Sequence, residues 1–268
     1  MPELPEVQTV VSTLGPLLRG RRIDAVRLMR QDIVSPKGAN LPELLTGRKI
    51  LQITRRAKRI VVSLDTGENF YIHLGMSGRL SVVPRDLPIQ PHTHLLLDFA
   101  QSQLRFVDPR RFGGIFWLGR DESPDDGLGP EPLQLRTPQL AKRLARTTRA
   151  IKNALLDQTL IAGLGNIYVD EALFAAGIHP LTPANRLSSP QITRLNRSIK
   201  QVLRRAIHHR GSTLRDYRDP NDEAGRFQNL HRVYHREGKP CPKCKTKIAK
   251  IVLGARSTHF CPRCQRIK

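Results

Sequence analysis

Residues 49–74 read KILQITRRAKRIVVSLDTGENFYIHL, and they decide the class of fold. Lys49–Thr54, Arg59–Leu64 and Asn69–Leu74 are short runs rich in β-branched and aromatic residues, with Thr66-Gly67 breaking the second from the third. Working outward, the same pattern recurs in Ile23–Met29, Arg79–Val83, His94–Phe99, Leu104–Val107 and Ile115–Leu118. Ahead of these strands, Leu4, Val7, Val11, Leu14 and Leu18 fall at three- and four-residue steps, one buried stripe of a helix. Pro5 suits its first turn, and Gly15-Pro16 is expected to break or kink its far end. Many short strands beside one helix imply a β-sandwich or barrel-like sheet pair over residues 1–120.

Beyond a Gly-, Asp- and Pro-rich linker at 121–138 the period changes to helical. Gln139–Thr147, Arg149–Asp157, Tyr168–Ala176 and Pro190–His209 are predicted helices, and Gly163-Leu164-Gly165-Asn166 interrupts two of them. Residues 139–228 form the second predicted domain, ending in a loop at 211–228. Residues 229–268 form a small cysteine-bearing module.

Lys and Arg number 45 and Asp and Glu 23, a formal net charge of +22. Residues 238–268 contain nine Lys or Arg and no acid. A field of this sign and size gathers phosphates, so nucleic acid is the expected partner. Hydrophobic residues make up 39%, too many for a disordered chain. No apolar run reaches the roughly 20 residues of a membrane span, and residues 1–6 lack the pattern of a secretory signal.

The four cysteines form two Cys-x-x-Cys pairs, Cys241/Cys244 and Cys261/Cys264, sixteen residues apart. Zinc takes four thiolates in a tetrahedron, and two such turns supply them. Two disulfides are the competing reading, but nothing in the sequence points to an oxidising compartment. A tail this short buries too little surface to fold alone, so one structural zinc is expected to hold it. A closed four-thiolate site leaves no position for catalysis.

At the other end, removal of Met1 would make Pro2 the terminal residue. Its secondary amine, titrating near roughly pH 8 when unperturbed, can attack a sugar carbon and become an iminium electron sink. Glu3 adjoins it and Glu6 lies on the same helical face. Taken as bare residues, the two acids equally serve to complement a helix dipole.

The string Pro2-Glu3-Leu4-Pro5-Glu6-Val7 is one of several motifs that occur in order along essentially the full chain. The others are His73-Leu74-Gly75-Met76-Ser77-Gly78, Asp108-Pro109-Arg110-Arg111-Phe112-Gly113, Gly163-Leu164-Gly165-Asn166-Ile167-Tyr168 and the four-Cys finger. Together they resemble formamidopyrimidine-DNA glycosylase, a bacterial base-excision-repair family that removes oxidised purines. The resemblance implies an α+β, multidomain fold. An N-terminal β-sandwich with an N-terminal helix would precede a helical helix–two-turn–helix domain and a C-terminal β-hairpin zinc finger.

The resemblance also implies roles. Pro2 would be the nucleophile at C1′, forming a Schiff base. Glu3 would be the general acid at the sugar, and Glu6 would support that site. Lys58 would contact phosphate and assist β-elimination, and Arg256 would grip phosphates and assist δ-elimination. Met76, Arg110 and Phe112 match the residues that fill the hole left by a flipped nucleotide. His73, His92, Asn166 and Tyr234 match DNA-contacting positions, and Arg149 and Lys152 are candidates near base or backbone. The 211–228 loop matches a segment that closes over the extruded base, with Ser212, Thr213 and Tyr217 as candidate contacts. The implied partner is damaged double-stranded DNA, bound by a monomer in the bacterial cytoplasm at the nucleoid.

Two rivals stand beside this reading. The sister family, endonuclease VIII, removes oxidised pyrimidines with the same terminal proline; Leu4 and the Met76, Arg110 and Phe112 set favour the purine family. A non-catalytic, zinc-stabilised DNA-binding protein would have no need of Pro2, Glu3 and Lys58 together.

Overall fold

The structure, a computed structural model, describes residues 2–120, 122–215 and 217–267. It divides into two units, residues 1–126 with 209–226, and residues 127–208 with 227–268. The expectation about Met1 lies outside the described residues.

The first unit opens with α1 (Leu4–Leu18), followed by β1 (Ala25–Leu28), β2 (Val34–Ser35), α2 (Leu41–Leu45), β3 (Ile50–Arg56), β4 (Arg59–Leu64) and β5 (Asn69–His73). It continues with β6 (Arg79–Pro84), β7 (Thr93–Phe99), β8 (Ser102–Val107) and β9 (Gly114–Gly119). One sheet has the order β1-β7-β8-β6 and the other β2-β9-β5-β4-β3; among the described residues only the β2–β9 pairing is parallel. A single core joins them: Ile60, Val62, Phe70, Ile72 and Ile115 from one sheet pack with Leu95, Leu97, Phe99, Leu104 and Phe106 from the other. Val7, Val10, Val11, Leu14 and Leu18 of α1 enter the same core, which gives a β-sandwich with its N-terminal helix packed in. Side chains alternate across β4, so Val61 lies on the opposite face and clusters with Tyr71 and Leu118.

Alternation fails along β7, where every residue is buried. Its second face is covered by a polar network. Asp98 accepts from Gln103, Gln103 accepts from Arg105 Nε at 2.7 Å, and the Arg105 guanidinium donates to the carbonyls of Leu87 and Pro88.

Pro16 does not break α1. The helix runs to Leu18, and the Arg19 N–H still reaches the Gly15 carbonyl at 3.0 Å. A proline inside a helix costs about 3 kcal/mol. Complete burial of Leu14 and Leu18 on either side of it, at roughly 1.5–3 kcal/mol each, offsets that.

The second unit contains α3 (Thr137–Leu144), α4 (Ile151–Leu156), α5 (Asn166–Ala176), α6 (Ser189–His208) and the hairpin of β10 (Ala249–Leu253) and β11 (Arg256–Phe260). α5 is buried nearly all round, whereas α6 buries one stripe, Ile192, Leu195, Ile199, Leu203 and Ala206. Residues 209–226 belong to the first unit, although the sequence places the 211–228 loop at the end of the helical domain. The reason lies in their partners, described next.

Candidate active site and nucleic-acid interface

The start of α1 is closed off from solvent. Pro2 is buried, and Glu3 and Glu6 expose only 3% and 1% of their surface. Glu6 Oε2 accepts the Glu3 N–H at 2.8 Å, capping the helix, while Oε1 accepts the Ser212 N–H at 2.7 Å. The Tyr217 hydroxyl donates to the Glu6 carbonyl at 3.2 Å. Burial, and then the Glu6 charge, push the Tyr217 phenol well above its ordinary range, so it stays a neutral donor. Gly211 is fixed by this contact: its φ is +77°, and a Cβ there would lie 2.5 Å from Glu6 Oε1. These bonds attach residues 211–217 to the first unit. They make Glu6 a residue that holds Glu3 and the loop in place, and Ser212, expected as a contact of the extruded base, is bonded here through its N–H to Glu6. Of the three candidate loop contacts, the Thr213 hydroxyl donates to the Tyr217 carbonyl at 2.8 Å, and Tyr217 is committed to Glu6.

Lys58 sits at the tip of the β3–β4 hairpin. Arg56 pairs with Arg59, which leaves Ala57 and Lys58 as a two-residue turn with Ala57 at φ +52°. Hairpin tips are ordinarily exposed, yet both residues are buried. Arg55 braces the turn, its Nε donating to Gln8 Oε1 on α1 and its terminal nitrogen to the Ala57 carbonyl, each at 3.0 Å. The lysine is thereby tied to the helix that begins at Pro2 and Glu3. Burial, and then the charges of Lys58 and Arg59, lower the pKa of His73. His73 Nδ1 accepts the Gly75 N–H at 3.1 Å, which leaves the proton of the neutral ring on Nε2.

Met76, Arg110 and Phe112 lie on two loops that abut. Met76 is 39% exposed and Phe112 56%, so neither belongs to the core. The Arg110 guanidinium lies over the Phe112 ring, 4.8 Å from its centroid. A Cβ on Gly75 would meet the Phe112 carbonyl carbon at 2.3 Å, so only glycine lets the loops approach. Asp108, fully buried, ties them together: Oδ1 accepts the Ser77 hydroxyl at 2.5 Å and Oδ2 accepts the Gly113 N–H at 2.7 Å. His94 Nε2 donates to the Asp108 carbonyl at 2.8 Å, and the exposed His92 accepts the Asp108 N–H through its own carbonyl. The sequence reading gave Asp108 no role. Its place before Pro109 in a turn-forming segment was the available signal.

In the second unit the expectation for Lys152 is corrected. This side chain is wholly buried, and Nζ donates to Asp170 Oδ1 at 2.7 Å and to the Ser257 carbonyl at 2.8 Å. A charge in that position needs those partners, and none of its surface is left for base or phosphate. Asn166, the first residue of α5, donates from Nδ2 to the same Ser257 carbonyl at 2.9 Å. Ser257 directly follows Arg256, so both bonds pin the strand beginning at that exposed arginine, past the Gly254-Ala255 turn. Asp170 Oδ2 also accepts the His259 N–H at 2.8 Å. Arg149 is exposed and bonds Asp157 at 2.7 Å, which holds the Asp157 carboxyl down to about 2. Tyr234 is nearly enclosed. Its ring stacks on His235 and meets His231 and His259 edge-on, while its N–H joins those of Arg232 and Val233 on the buried Glu171 carboxylate.

The four cysteine sulfurs lie within 4.8 Å of one another, with Cys241 and Cys264 at 3.9 Å and Cys244 and Cys261 at 3.4 Å. A zinc tetrahedron with bonds of about 2.3 Å has edges of about 3.8 Å, so the set fits the metal. No pair is close enough for a disulfide. The Lys243 and Cys264 amides donate to Cys241 and Cys261 sulfurs, the bonding expected around thiolates. Phe174 of α5, Val233 and Ile248 pack around the cluster and seat the finger on the helix. The finger carries one structural zinc.

Three family models cover most of the chain: the formamidopyrimidine-DNA glycosylase N-terminal domain (residues 1–115), the formamidopyrimidine-DNA glycosylase H2TH domain (128–218) and the zinc finger found in FPG and IleRS (238–267). Formamidopyrimidine-DNA glycosylase of Pelotomaculum thermopropionicum is 44% identical over the full length of both chains. That of Roseiflexus sp. is 45% identical, over 99% of this chain and all of the relative. A point mutant of the Lactococcus lactis enzyme, in complex with a Fapy-dG containing DNA, superimposes with a TM-score of 0.94 at 36% identity, over 99% of this chain and all of the other. The Lactococcus lactis enzyme with DNA containing an abasic site gives 0.93 at the same identity and coverage. Sandwich, helical unit, zinc finger and these likenesses define a DNA glycosylase of base excision repair. The chain belongs to the formamidopyrimidine-DNA glycosylase family.

Proposed function

We propose that this protein removes oxidised purines, 8-oxoguanine and formamidopyrimidines, from double-stranded DNA and then cuts the abasic strand. The observation that carries the reading is the buried start of α1, where Pro2, Glu3 and Glu6 are all buried and Glu6 spends both carboxylate oxygens on backbone N–H groups. An acid so committed is a positioning residue, and proton transfer is assigned to Glu3, whose carboxylate also caps the N–H of Glu6.

With Met1 removed, the Pro2 nitrogen attacks C1′ of the extruded nucleotide and the base departs with the electrons of the glycosidic bond. The proton released from the Pro2 nitrogen neutralises the departing base, Glu3 protonates the sugar oxygen as the ring opens, and the electron pair freed on nitrogen completes the iminium. The iminium then draws electrons from C2′ as a proton leaves, expelling one flanking phosphate, and the second elimination expels the other. Lys58 supports the first elimination through phosphate contact, and Arg256 the second. Met76, Arg110 and Phe112 fill the vacated stack; their exposure on abutting loops supports that role. His73, with a proton on Nε2, and Asn166, opening α5, are further backbone contacts. The zinc holds the finger that carries Arg256.

The protein acts as a monomer on damaged DNA in the bacterial cytoplasm, at the nucleoid. Its relatives are bacterial, and among the described residues no helix is long and apolar enough to cross a membrane. Parallel excision assays on duplexes carrying 8-oxoguanine or an oxidised pyrimidine test the substrate class. Faster release of the purine is expected, and preferential release of the pyrimidine would transfer the protein to the sister activity.

A further inference from the structure

Two acid-free stretches of sequence meet in the second unit. Residues 172–208 contain six Lys or Arg and no Asp or Glu, and residues 238–268 contain nine and none. Around their meeting point lies a cavity of about 630 Å³, lined by Arg186, Arg194, Arg263 and Arg266 and, among the described residues, by no acidic one. None of these four guanidinium groups has a hydrogen bond or ion pair with another described residue. By contrast, Arg149 pairs with Asp157 and Arg30 with Asp32.

Four exposed like charges lining one concavity repel one another unless an anion joins them, and the walls focus their field. The guanidinium fork matches phosphate oxygens in pairs. Ser188, just before the twenty-residue α6, also lines the cavity, so the positive end of that helix dipole adds to the field. Cys264 also lines the cavity, and a zinc–thiolate group there would offset only part of the positive charge.

The cavity lies at the opposite end of α5 from Asn166 and Arg256, while the carbonyl of Arg149 accepts the Ala184 N–H at 2.9 Å, beside the cavity-lining Pro183. Asn166 opens α5 and is bonded beside Arg256, whereas Gly177, on the cavity wall, closes it. Eleven helical residues separate the two ends by about 16 Å. We propose that the arginine cavity is a second anion site taking a phosphate-bearing ligand, either a nucleic-acid backbone or a free oligophosphate.

The test uses the full zinc-loaded chain, saturated with one equivalent of a duplex carrying a non-cleavable abasic analogue. Tripolyphosphate, and separately a labelled undamaged duplex, are then titrated in and compared with the variants Arg186→Gln/Arg194→Gln and Arg186→Glu/Arg194→Glu. Saturable binding of tripolyphosphate, weakened at least tenfold in both variants, is the expected result. If the undamaged duplex also binds, the source is a nucleic-acid backbone, and its log K against log salt slope becomes shallower by about 2 when two contacts are lost. If only tripolyphosphate binds, the source is a free phosphate compound. Binding of neither probe, or equal binding by parent and folded variants, overturns the proposal. So does a parallel loss of 8-oxoguanine excision, which would merge the cavity with the substrate site.

Discussion

Glu6 and Ser212 are 206 residues apart in sequence, yet the Ser212 N–H points at Glu6 Oε1 at 2.7 Å, inside a site that water does not reach. The second oxygen caps α1 through Glu3. One carboxylate therefore fixes both Glu3, the neighbour of Pro2, and the loop at Ser212.

Glu6→Gln keeps the shape but turns an NH2 toward one of these N–H donors. A buried donor facing a donor costs about 1–3 kcal/mol. Urea unfolding is expected to show that loss, and single-turnover excision of 8-oxoguanine is expected to slow more than tenfold. Unchanged excision would relieve Glu6 of its positioning role.

Lys152→Met leaves Asp170 as a buried carboxylate without its cation. Removing one partner of a buried pair costs about 3–5 kcal/mol. The double variant with Asp170→Asn is expected to recover part of that loss in denaturant unfolding. A fully additive cycle would contradict direct coupling.

Cys244→Ser opens the zinc tetrahedron. Metal analysis is expected to show loss of zinc, and salt-dependent DNA binding is expected to weaken because Arg256 loses its seat. A full zinc equivalent in the purified variant would contradict the four-thiolate site.

His231 gives the second unit a pH dependence. Burial, and then the neighbouring His235 charge, lower its pKa from 6.5 to about 4. Between those values the unfolded chain binds a proton that the folded one does not, so stability rises with pH. The contribution, of order 3 kcal/mol, is complete above about pH 6.5 and is lost as pH falls toward 4. His231→Phe is expected to flatten unfolding free energy over that window; an unchanged slope would assign it to another group.

Sequence legibility followed the range of the interactions. The α1 stripe and the longer strands were readable because period alone specifies which face is buried. β2, only Val34–Ser35, and α2, five residues capped by Asn40 Oδ1, are too short to show a period. Motif order located Pro2, Glu3, Lys58 and the cysteines, and the structure supplied what holds them. Lys152 misled because a lysine reads as solvent-exposed until its partners are known, and these stand 18 and 105 residues further on. The packing of the segment at 209–226 with the first unit was not legible for the same reason, since its tie to Glu6 spans most of the chain.

The central claim is that Pro2 is the nucleophile. Borohydride reduction of the protein mixed with a duplex carrying one 8-oxoguanine opposite cytosine tests it most directly. A covalent adduct that maps to Pro2, and disappears in Pro2→Gly while that variant still binds the duplex, is the predicted result. An adduct mapping to a lysine, or no adduct despite tight binding, would contradict it.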